Sequence, residues 1–343
     1  MPKPVIVPPV KDFSSIGSDR ISVVIQGPIA RQKSGDRSTT DECVRSVRAH
    51  LPRAQIILST WDGADTSGLD GVDHLVTSQD PGGIWNYVKQ RENNVNRMIR
   101  STNRGLALAT REYCLKFRTD LQLTSDWICR VDSTAEKSDP YSLFSAPITT
   151  TSFFVRDPSV IPMIFHPSDI VQFGRTQDLA DFWDQPLIDP HWLVRGRPIM
   201  SPFGRYAGFT PMRVVPEQVV TLQWLAKHGI RVDLDDTFDI SFDAYRTWER
   251  VMLGNFRLVD AAESGVTFHA KLRRKKFFTD RADFNEAAFA KVGREQSALQ
   301  LGRRWATALL SKYVFCFGYL RYYKRLWRTY RLYRAWNRQE GKS

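Results

Sequence analysis

Ile21-Ser-Val-Val-Ile-Gln26, followed directly by Gly27-Pro28, is the stretch from which the fold can be predicted. Its apolar, largely β-branched residues indicate a strand that is buried on both faces, and Gly27-Pro28 indicates a loop at its end. Three similar runs predict further strands, at residues 56–61, 73–77 and 113–117. Helices are predicted between the strands, over residues 40–50 and 88–113.

This alternation of strand and helix predicts an α/β fold with a Rossmann-type, mostly parallel sheet flanked by helices. Ligands of such sheets bind beyond the carboxyl ends of the strands. Polar residues follow those ends in this chain, namely Gln26, Asp62, Asp80, Arg118 and Asp120. We therefore expect a binding site at that edge of the sheet.

The second half of the sequence is less regular. Residues 144–155 and 230–233 are predicted as strands, and residues 216–226 as a helix that has proline in its first turn and ends at Gly229. Residues 168–211 are rich in Pro, Gly, Trp and Phe, a composition suited to structured loops around an acceptor pocket.

Composition narrows the class of protein. The 343 residues are 42% hydrophobic and 25% charged, as in globular proteins. The four cysteines are far apart and form no CxxC pair, which favours reduced thiols in a cytosolic protein over a disulfide framework or a zinc site. Neither a signal peptide nor an apolar run of membrane-spanning length is recognised, so no membrane span is predicted.

The net charge of +12 is concentrated at the C-terminal end. Residues 271–343 hold 19 basic and 5 acidic residues, whereas residues 1–270 hold 30 and 32. Between residues 303 and 338 the spacing predicts a helix whose aromatic face carries Tyr319, Tyr323, Leu326, Tyr330 and Tyr333. Its opposite face is largely basic, with Arg321, Lys324, Arg325, Arg328, Arg331 and Arg338.

Such a helix suits the surface of an anionic membrane. The alternative is that the aromatic face packs against the protein itself while the arginines stay solvated. Basic residues among aromatic ones also suit nucleic acids, but no nucleic-acid-binding motif is recognised in this segment. Nucleic acid is therefore not an expected partner.

Several motifs resemble those of known enzymes. Asn103-Arg-Gly-Leu-Ala-Leu-Ala-Thr-Arg-Glu-Tyr-Cys-Leu-Lys-Phe-Arg-Thr-Asp120 resembles the helix–strand–DXD segment of GT-A glycosyltransferases. Eight shorter motifs resemble, in the same order, the WavE lipopolysaccharide-synthesis family: Val24-Ile-Gln-Gly-Pro28, Ile57-Leu-Ser-Thr-Trp61, Asp80-Pro-Gly82, Asn94-Val-Asn-Arg97, Arg118-Thr-Asp120, Ser152-Phe-Phe-Val155, His166-Pro-Ser-Asp169 and Pro216-Glu-Gln218.

The resemblance covers residues 20–275 and implies a GT-A-like glycosyltransferase domain, with a nucleotide-binding half at 20–125 and an acceptor half at 126–275. An N-terminal extension (1–19) and a basic, aromatic helical tail (276–343) flank that domain. The implied reaction moves a sugar from a nucleotide-sugar donor to a lipopolysaccharide or capsular saccharide, which is free or lipid-linked. We expect it at the cytoplasmic face of the inner membrane.

The metal motif of the resemblance is incomplete. GT-A enzymes usually neutralise the leaving diphosphate with Mg²⁺ or Mn²⁺ held by DXD carboxylates, whereas here Arg118 stands at the first of those positions. Three alternatives follow. In the first, Asp120 still holds the metal while Arg118 contacts phosphate or ribose. In the second the transfer needs no metal, and in the third Arg118 and Asp120 form a purely structural ion pair. The incomplete motif also leaves a non-catalytic scaffold as an alternative. His269 is a second candidate metal ligand.

The remaining candidates come from the ends of the predicted strands and from the motifs that carry the resemblance. Those expected to bind donor or acceptor are Gln26, Gly27, Pro28, Asp62, Asp80, Asn94, Asn96, Arg97, Arg118 and His166. Glu217 is the candidate catalytic base, and Asp169 is its rival. Each also has an explanation that involves no catalysis. Glu217 interacts favourably with the helix dipole in a first turn, and Asp169 caps a helix or contacts the acceptor. A lone histidine such as His166 is more often structural.

Overall fold

A computed structural model describes residues 14–32, 38–87, 90–131, 139–200, 209–268 and 282–312, together with residues 327, 330, 331, 334, 335 and 337–339. Its centre is a seven-stranded sheet, formed by β1 (Ile21–Gln26), β2 (Gln55–Trp61), β3 (His74–Ser78), β4 (Tyr113–Arg118), β5 (Ile148–Thr151), β6 (Gln172–Arg175) and β7 (Phe256–Val259). The strand order is β7-β5-β6-β4-β1-β2-β3, and within this sheet only β6 runs antiparallel to its neighbours.

Eight α-helices occur in the described residues: α1 (Thr40–His50), α2 (Val95–Leu106), α3 (Thr176–Trp183), α4 (Pro190–Leu193), α5 (Pro216–Lys227), α6 (Phe242–Asn255), α7 (Glu286–Arg294) and α8 (Ala298–Leu310). Short strand pairs join Ser14–Ser15 to Arg130–Val131, Ile84–Asn86 to Arg91–Asn93, Gln122–Leu123 to Val266–Thr267, and Val194–Met200 to Phe209–Met212.

The sheet is covered on both faces because the side chains of β1 alternate between two apolar layers. Val24 belongs to the layer that includes α2, whereas Ile25 belongs to the layer that includes α1. At Gly105 in α2 a β-carbon would lie 2.3 Å from Val24 Cγ1, so only glycine allows this approach of helix to strand. The predicted GT-A-like α/β fold, mostly parallel and flanked by helices, is confirmed.

Several predicted elements differ in the structure. Residues 168–211, expected to form loops, include β6, α3, α4 and the strand Val194–Met200. The helix predicted over residues 88–113 begins at Val95, because residues 84–93 pair as a hairpin before it. Of residues 144–155, only Ile148–Thr151 form a strand. Residues 230–233 are not a strand, since this alternating segment pairs with no other strand in the described part of the chain.

The start of the predicted C-terminal tail packs onto the rest of the domain. Arg304 on α8 binds Glu249 on α6 through two hydrogen bonds, of 2.7 and 2.8 Å, and Glu249 is buried. The indole N–H of Trp305 donates to the carbonyl of Ile240 (2.8 Å), and Ala308 is fully buried. Helix α8 is therefore part of the core. Among the described helices, none has the length and apolar character that crossing a membrane requires.

Candidate active site

The ends of β1 and β4 lie side by side at the carboxyl edge of the sheet, with Gln26 in register with Arg118. Gln26 is buried, and its side-chain amide is hydrogen-bonded to the Ser101 hydroxyl of α2 (2.7 Å). Gly27 has φ +129° and lies against Thr119, where a β-carbon would meet Oγ1 at 3.0 Å. The Thr119 hydroxyl in turn donates to the carbonyl of Pro28 (2.8 Å). This loop is thus fixed against β4.

Arg118 and Asp120 form a bidentate ion pair. Arg118 Nε and Nη2 donate to the two carboxylate oxygens of Asp120 at 2.8 and 2.7 Å. In this bidentate geometry the guanidinium charge and the carboxylate charge neutralise each other, and each Asp120 carboxylate oxygen accepts a hydrogen bond from Arg118.

This pair does not fit a divalent cation. A metal at Asp120 would have to displace the guanidinium or lie beside its positive charge. No group of three or more His, Cys, Asp or Glu side chains that could hold a metal ion occurs in the described residues. His269, the other candidate ligand, lies outside the described residues.

Glu217 is held at the site by the residue that follows it. Gln218 is fully buried and accepts a hydrogen bond from the Val215 amide (3.2 Å). It donates to the carbonyls of Ile164 (2.9 Å) and Thr237 (3.0 Å). These bonds fasten the first turn of α5 to the segment before β6. Glu217 Oε2 consequently lies 3.3 Å from His166 Nε2.

Asp169 and Glu217 belong to one electrostatic cluster but have opposite pKa shifts. Burial and the Glu217 carboxylate raise the pKa of Asp169, although Lys116, Arg118 and His166 oppose the shift. Burial also acts to raise the pKa of Glu217, but His166 and Arg156 outweigh it and hold that pKa below its usual value. The two shifts favour the ionised form at Glu217 and the protonated form at Asp169. Such divergence is typical of acid and base pairs in active sites.

Backbone strain also concentrates around this cluster. Phe165, directly before His166, has φ +56°, and Phe154 in the Ser152-Phe-Phe-Val155 motif has φ +68°. Left-handed conformations of bulky residues cost about 1–3 kcal/mol and persist where the surroundings impose them, often at functional sites. His166 Nδ1 is buried and has no hydrogen-bond partner in the described structure. These features make the segment between β5 and β6 a candidate functional segment.

Arg97 and Asp80 pair with each other beyond the end of β3. Arg97 Nε lies 2.8 and 3.0 Å from the carboxylate oxygens of Asp80, and the guanidinium also bonds Glu92 and Asn94. This pairing lowers the pKa of Asp80. Asp62 is exposed at the end of β2. The charge of Arg97 is thus matched by Asp80 and Glu92.

Asn96 holds two parts of the chain together. Its Nδ2 donates to the carbonyl of Ile188 (3.0 Å), and its Oδ1 accepts from the Ile188 amide (2.7 Å). The side chain is buried, so these two bonds account for the residue without a ligand. The substrate contact expected of Asn96 stays a prediction, and both polar groups of its side chain already have a protein partner.

The sequence-based candidates did not include Lys116, Arg156 or Ser101. Lys116 is fully buried, and a lysine within the otherwise apolar run of β4 was a signal available in the sequence. Arg156 pairs with Asp283, 127 residues away, so no local pattern pointed to it. Ser101 lies in a polar helix segment, where a buried serine is not distinguishable from a solvated one.

The sequence model of the family described as WavE lipopolysaccharide synthesis matches residues 21–328. The match therefore includes the whole seven-stranded sheet and extends through α7 and α8. No curated protein and no solved structure matches the chain.

Proposed function

Because the chain belongs to the WavE lipopolysaccharide synthesis family, we propose that it transfers a sugar from a nucleotide-sugar donor to a growing lipopolysaccharide or capsular saccharide. Family membership implies a part in lipopolysaccharide synthesis. The observation that carries the proposed transfer is the contact of Glu217 with His166, beside Asp169 and Arg118. It supplies an ionised carboxylate next to positive charge at the edge where such sheets bind ligands.

Glu217 is the proposed catalytic base. Its carboxylate accepts the proton of an acceptor hydroxyl while that oxygen bonds to the anomeric carbon of the donor. The bond between this carbon and the diphosphate oxygen breaks, and the diphosphate leaves with the electron pair. His166 holds the Glu217 carboxylate in place through the contact at 3.3 Å. A positioned base of this kind contributes about 10²–10⁴-fold to a rate.

Arg118 is the proposed counter-charge for the leaving diphosphate. Guanidinium groups bind phosphate in the same bidentate manner in which Arg118 binds Asp120. We propose that phosphate takes over part of this pairing, in the role for which Mg²⁺ or Mn²⁺ was expected. The Gln26 side-chain amide and the loop at Gly27 are proposed to contact the nucleoside.

A thermal-shift screen tests the proposed function. The purified protein is heated with UDP-, GDP-, CMP- and dTDP-sugars, with Mn²⁺ or with EDTA. We expect one donor class to raise the melting temperature equally under both conditions. A rise that requires Mn²⁺ would contradict the proposed role of Arg118. The absence of any shift, together with no release of nucleotide from any donor, would favour the non-catalytic scaffold.

The C-terminal segment is proposed to bind an anionic membrane surface on the cytoplasmic side. Trp327 and Tyr330 are 62% and 44% exposed, so much of each aromatic side chain is accessible. Arg331 lies over the Trp327 ring (4.9 Å), and Arg334 lies over the Tyr330 ring (5.9 Å). Paired aromatic and basic groups suit the interface of anionic bilayers.

Sedimentation with vesicles of phosphatidylglycerol and phosphatidylcholine tests this membrane proposal. A chain ending at residue 312 keeps α8 and lacks the exposed aromatic residues. We expect it to stay in the supernatant while the full chain sediments, and we expect high salt to release the full chain. Equal sedimentation of the two chains would contradict the proposal.

A further inference from the structure

Lys116 lies beneath the candidate site, inside the sheet. It is on β4, two residues before Arg118, and therefore on the same face of that strand. Its side chain is fully buried, and Nζ lies 4.6 Å from the centre of the Trp183 ring. Nζ donates a hydrogen bond to the backbone carbonyl of Asp169. In the described residues, Lys116 has no direct ion pair with a carboxylate.

A buried ammonium group is costly to keep in a protein core. The effective penalty is several kcal/mol, and an apolar side chain of similar length would avoid it. Burial lowers the pKa of Lys116 to about 8, so the group is mostly protonated at neutral pH. Packing alone does not explain a lysine at this position.

The bond from Lys116 is one of several that hold the His166-Pro-Ser-Asp169 loop to the sheet. Gln172 on β6 donates to the carbonyl of Ser168 (3.0 Å), and Thr150 on β5 donates to the same carbonyl (2.9 Å). Trp183 fixes Gln172 by donating to its Oε1 (2.7 Å). Side chains from three adjacent strands, β4, β5 and β6, thus donate hydrogen bonds to two successive carbonyls of the loop, those of Ser168 and Asp169. Among these donors only Lys116 is charged.

The ammonium also acts on the two carboxyl groups of the site. The pKa of Lys116 is influenced by three charged groups, Asp169, Glu217 and Arg118. The pKa of Asp169 is influenced by four, Glu217, Lys116, Arg118 and His166. The two carboxyl groups disfavour each other's ionisation, and a nearby cation offsets this effect.

We propose that Lys116 is a positioning residue of the transferase, which fixes the loop at Asp169 and places a positive charge beside the Asp169–Glu217 pair. Its part in turnover rests on the proposed function. The electrostatic coupling between Lys116 and Asp169 does not, and it can be measured in the free protein.

The first experiment follows the carboxyl carbon of Asp169 by NMR during a pH titration of the free protein, with Asp169→Asn for assignment. Lys116→Met removes the charge and keeps much of the volume. We expect the midpoint of Asp169 to move to higher pH in Lys116→Met. Lys227→Met is the matched control, since this half-exposed lysine at the other end of α5 pairs with Asp181 and Asp184. An unchanged midpoint in folded Lys116→Met overturns the inference.

A reciprocal experiment applies if Lys116→Met does not fold. The Cε carbon of Lys116 is titrated in the wild-type protein and in Asp169→Asn. Coupling between two groups is mutual, so removal of the Asp169 carboxylate is expected to lower the midpoint of Lys116. An unchanged Lys116 midpoint overturns the inference in this case.

Turnover separates this inference from the proposed function. With an active donor, we expect the acid limb of the kcat profile to shift to higher pH in Lys116→Met, while KM for the donor stays within about twofold because Lys116 touches no substrate. A shifted Asp169 midpoint with an unchanged profile overturns the positioning role. A shifted midpoint in a protein that turns over no donor supports the coupling and contradicts only the proposed function.

Discussion

Two acidic centres lie near the carboxyl edge of the sheet, and they differ in how their charge is matched. Asp120 is paired with Arg118, two residues away in the chain, through both of its oxygens. Asp169 and Glu217 come from separate segments and share the field of His166, Lys116 and Arg118. The first centre is satisfied locally. The second keeps two carboxyl groups with opposite pKa shifts, and it is therefore the more suitable place for proton transfer.

The largest expected effect follows from Glu217→Gln. If this centre supplies the base, the change lowers kcat by about 10²–10⁴-fold while the fold is retained. The measurement is nucleotide release from the donor identified by thermal shift. Asp243→Asn is the matched control, because Asp243 is also acidic in a first turn, that of α6, but is exposed. Normal turnover of Glu217→Gln would remove the distinction between the two centres.

The next effect concerns Arg118 and the binding of nucleotide diphosphate. A charged hydrogen bond contributes about 1.5–3 kcal/mol, so Arg118→Met is expected to raise Kd by about 10- to 100-fold. Isothermal titration calorimetry measures this change. Arg20→Met is the control, since it breaks the exposed Arg20–Glu112 pair at the opposite end of β4. An equal loss of affinity for the nucleotide diphosphate in both variants would mean that Arg118 has no specific role in binding it.

Arg118→Asp sharpens the same comparison. It removes the cation that occupies Asp120 and places two carboxylates two residues apart, a ligand type that Mg²⁺ and Mn²⁺ prefer. We expect Mn²⁺ to raise the melting temperature of this variant and to leave the wild-type protein unaffected. A wild-type protein that already responds to Mn²⁺ would show that the Arg118–Asp120 pair opens for a metal.

The smallest effect is on stability, and its sign differs between the two carboxyl groups. The raised pKa of Asp169 means that its stabilising contribution is present below the unfolded pKa and is lost as pH rises through the folded pKa. The lowered pKa of Glu217 means that its contribution is present above the unfolded pKa and is lost as pH falls through the folded pKa.

At pH 7, Asp169→Asn is therefore expected to raise the melting temperature and Glu217→Gln to lower it. Each substitution is expected to change the free energy of unfolding by roughly 1–2 kcal/mol, as is usual for single substitutions. Thermal denaturation at pH 7 and at pH 4 measures both, and the difference between the variants should narrow at the lower pH. Shifts of the same sign at pH 7 would mean that the two groups are not oppositely perturbed.

Elements whose residues carry their own signals were predicted well. Helix α1 runs over Thr40–His50 as expected, because Thr39 and Glu42 form a capping box at its start. Helix α5 begins at Pro216, where proline is favoured at a first turn. The hairpin at residues 84–93 was not predicted. Its two strands are only three residues long, and each is a strand because it pairs with the other. Short pairs of this kind leave little periodicity in a sequence.

The sequence by itself determined the alternation of strands and helices, the polar residues at the strand ends and the possibility of an Arg118–Asp120 pair. These features depend on neighbours in the chain, and residues two apart on a strand share a face. Only the tertiary structure decided that Glu217 meets His166, 51 residues away, and that Lys116 lies beneath Asp169. Proximity, burial and the resulting pKa shifts depend on how distant segments pack, which no local pattern encodes.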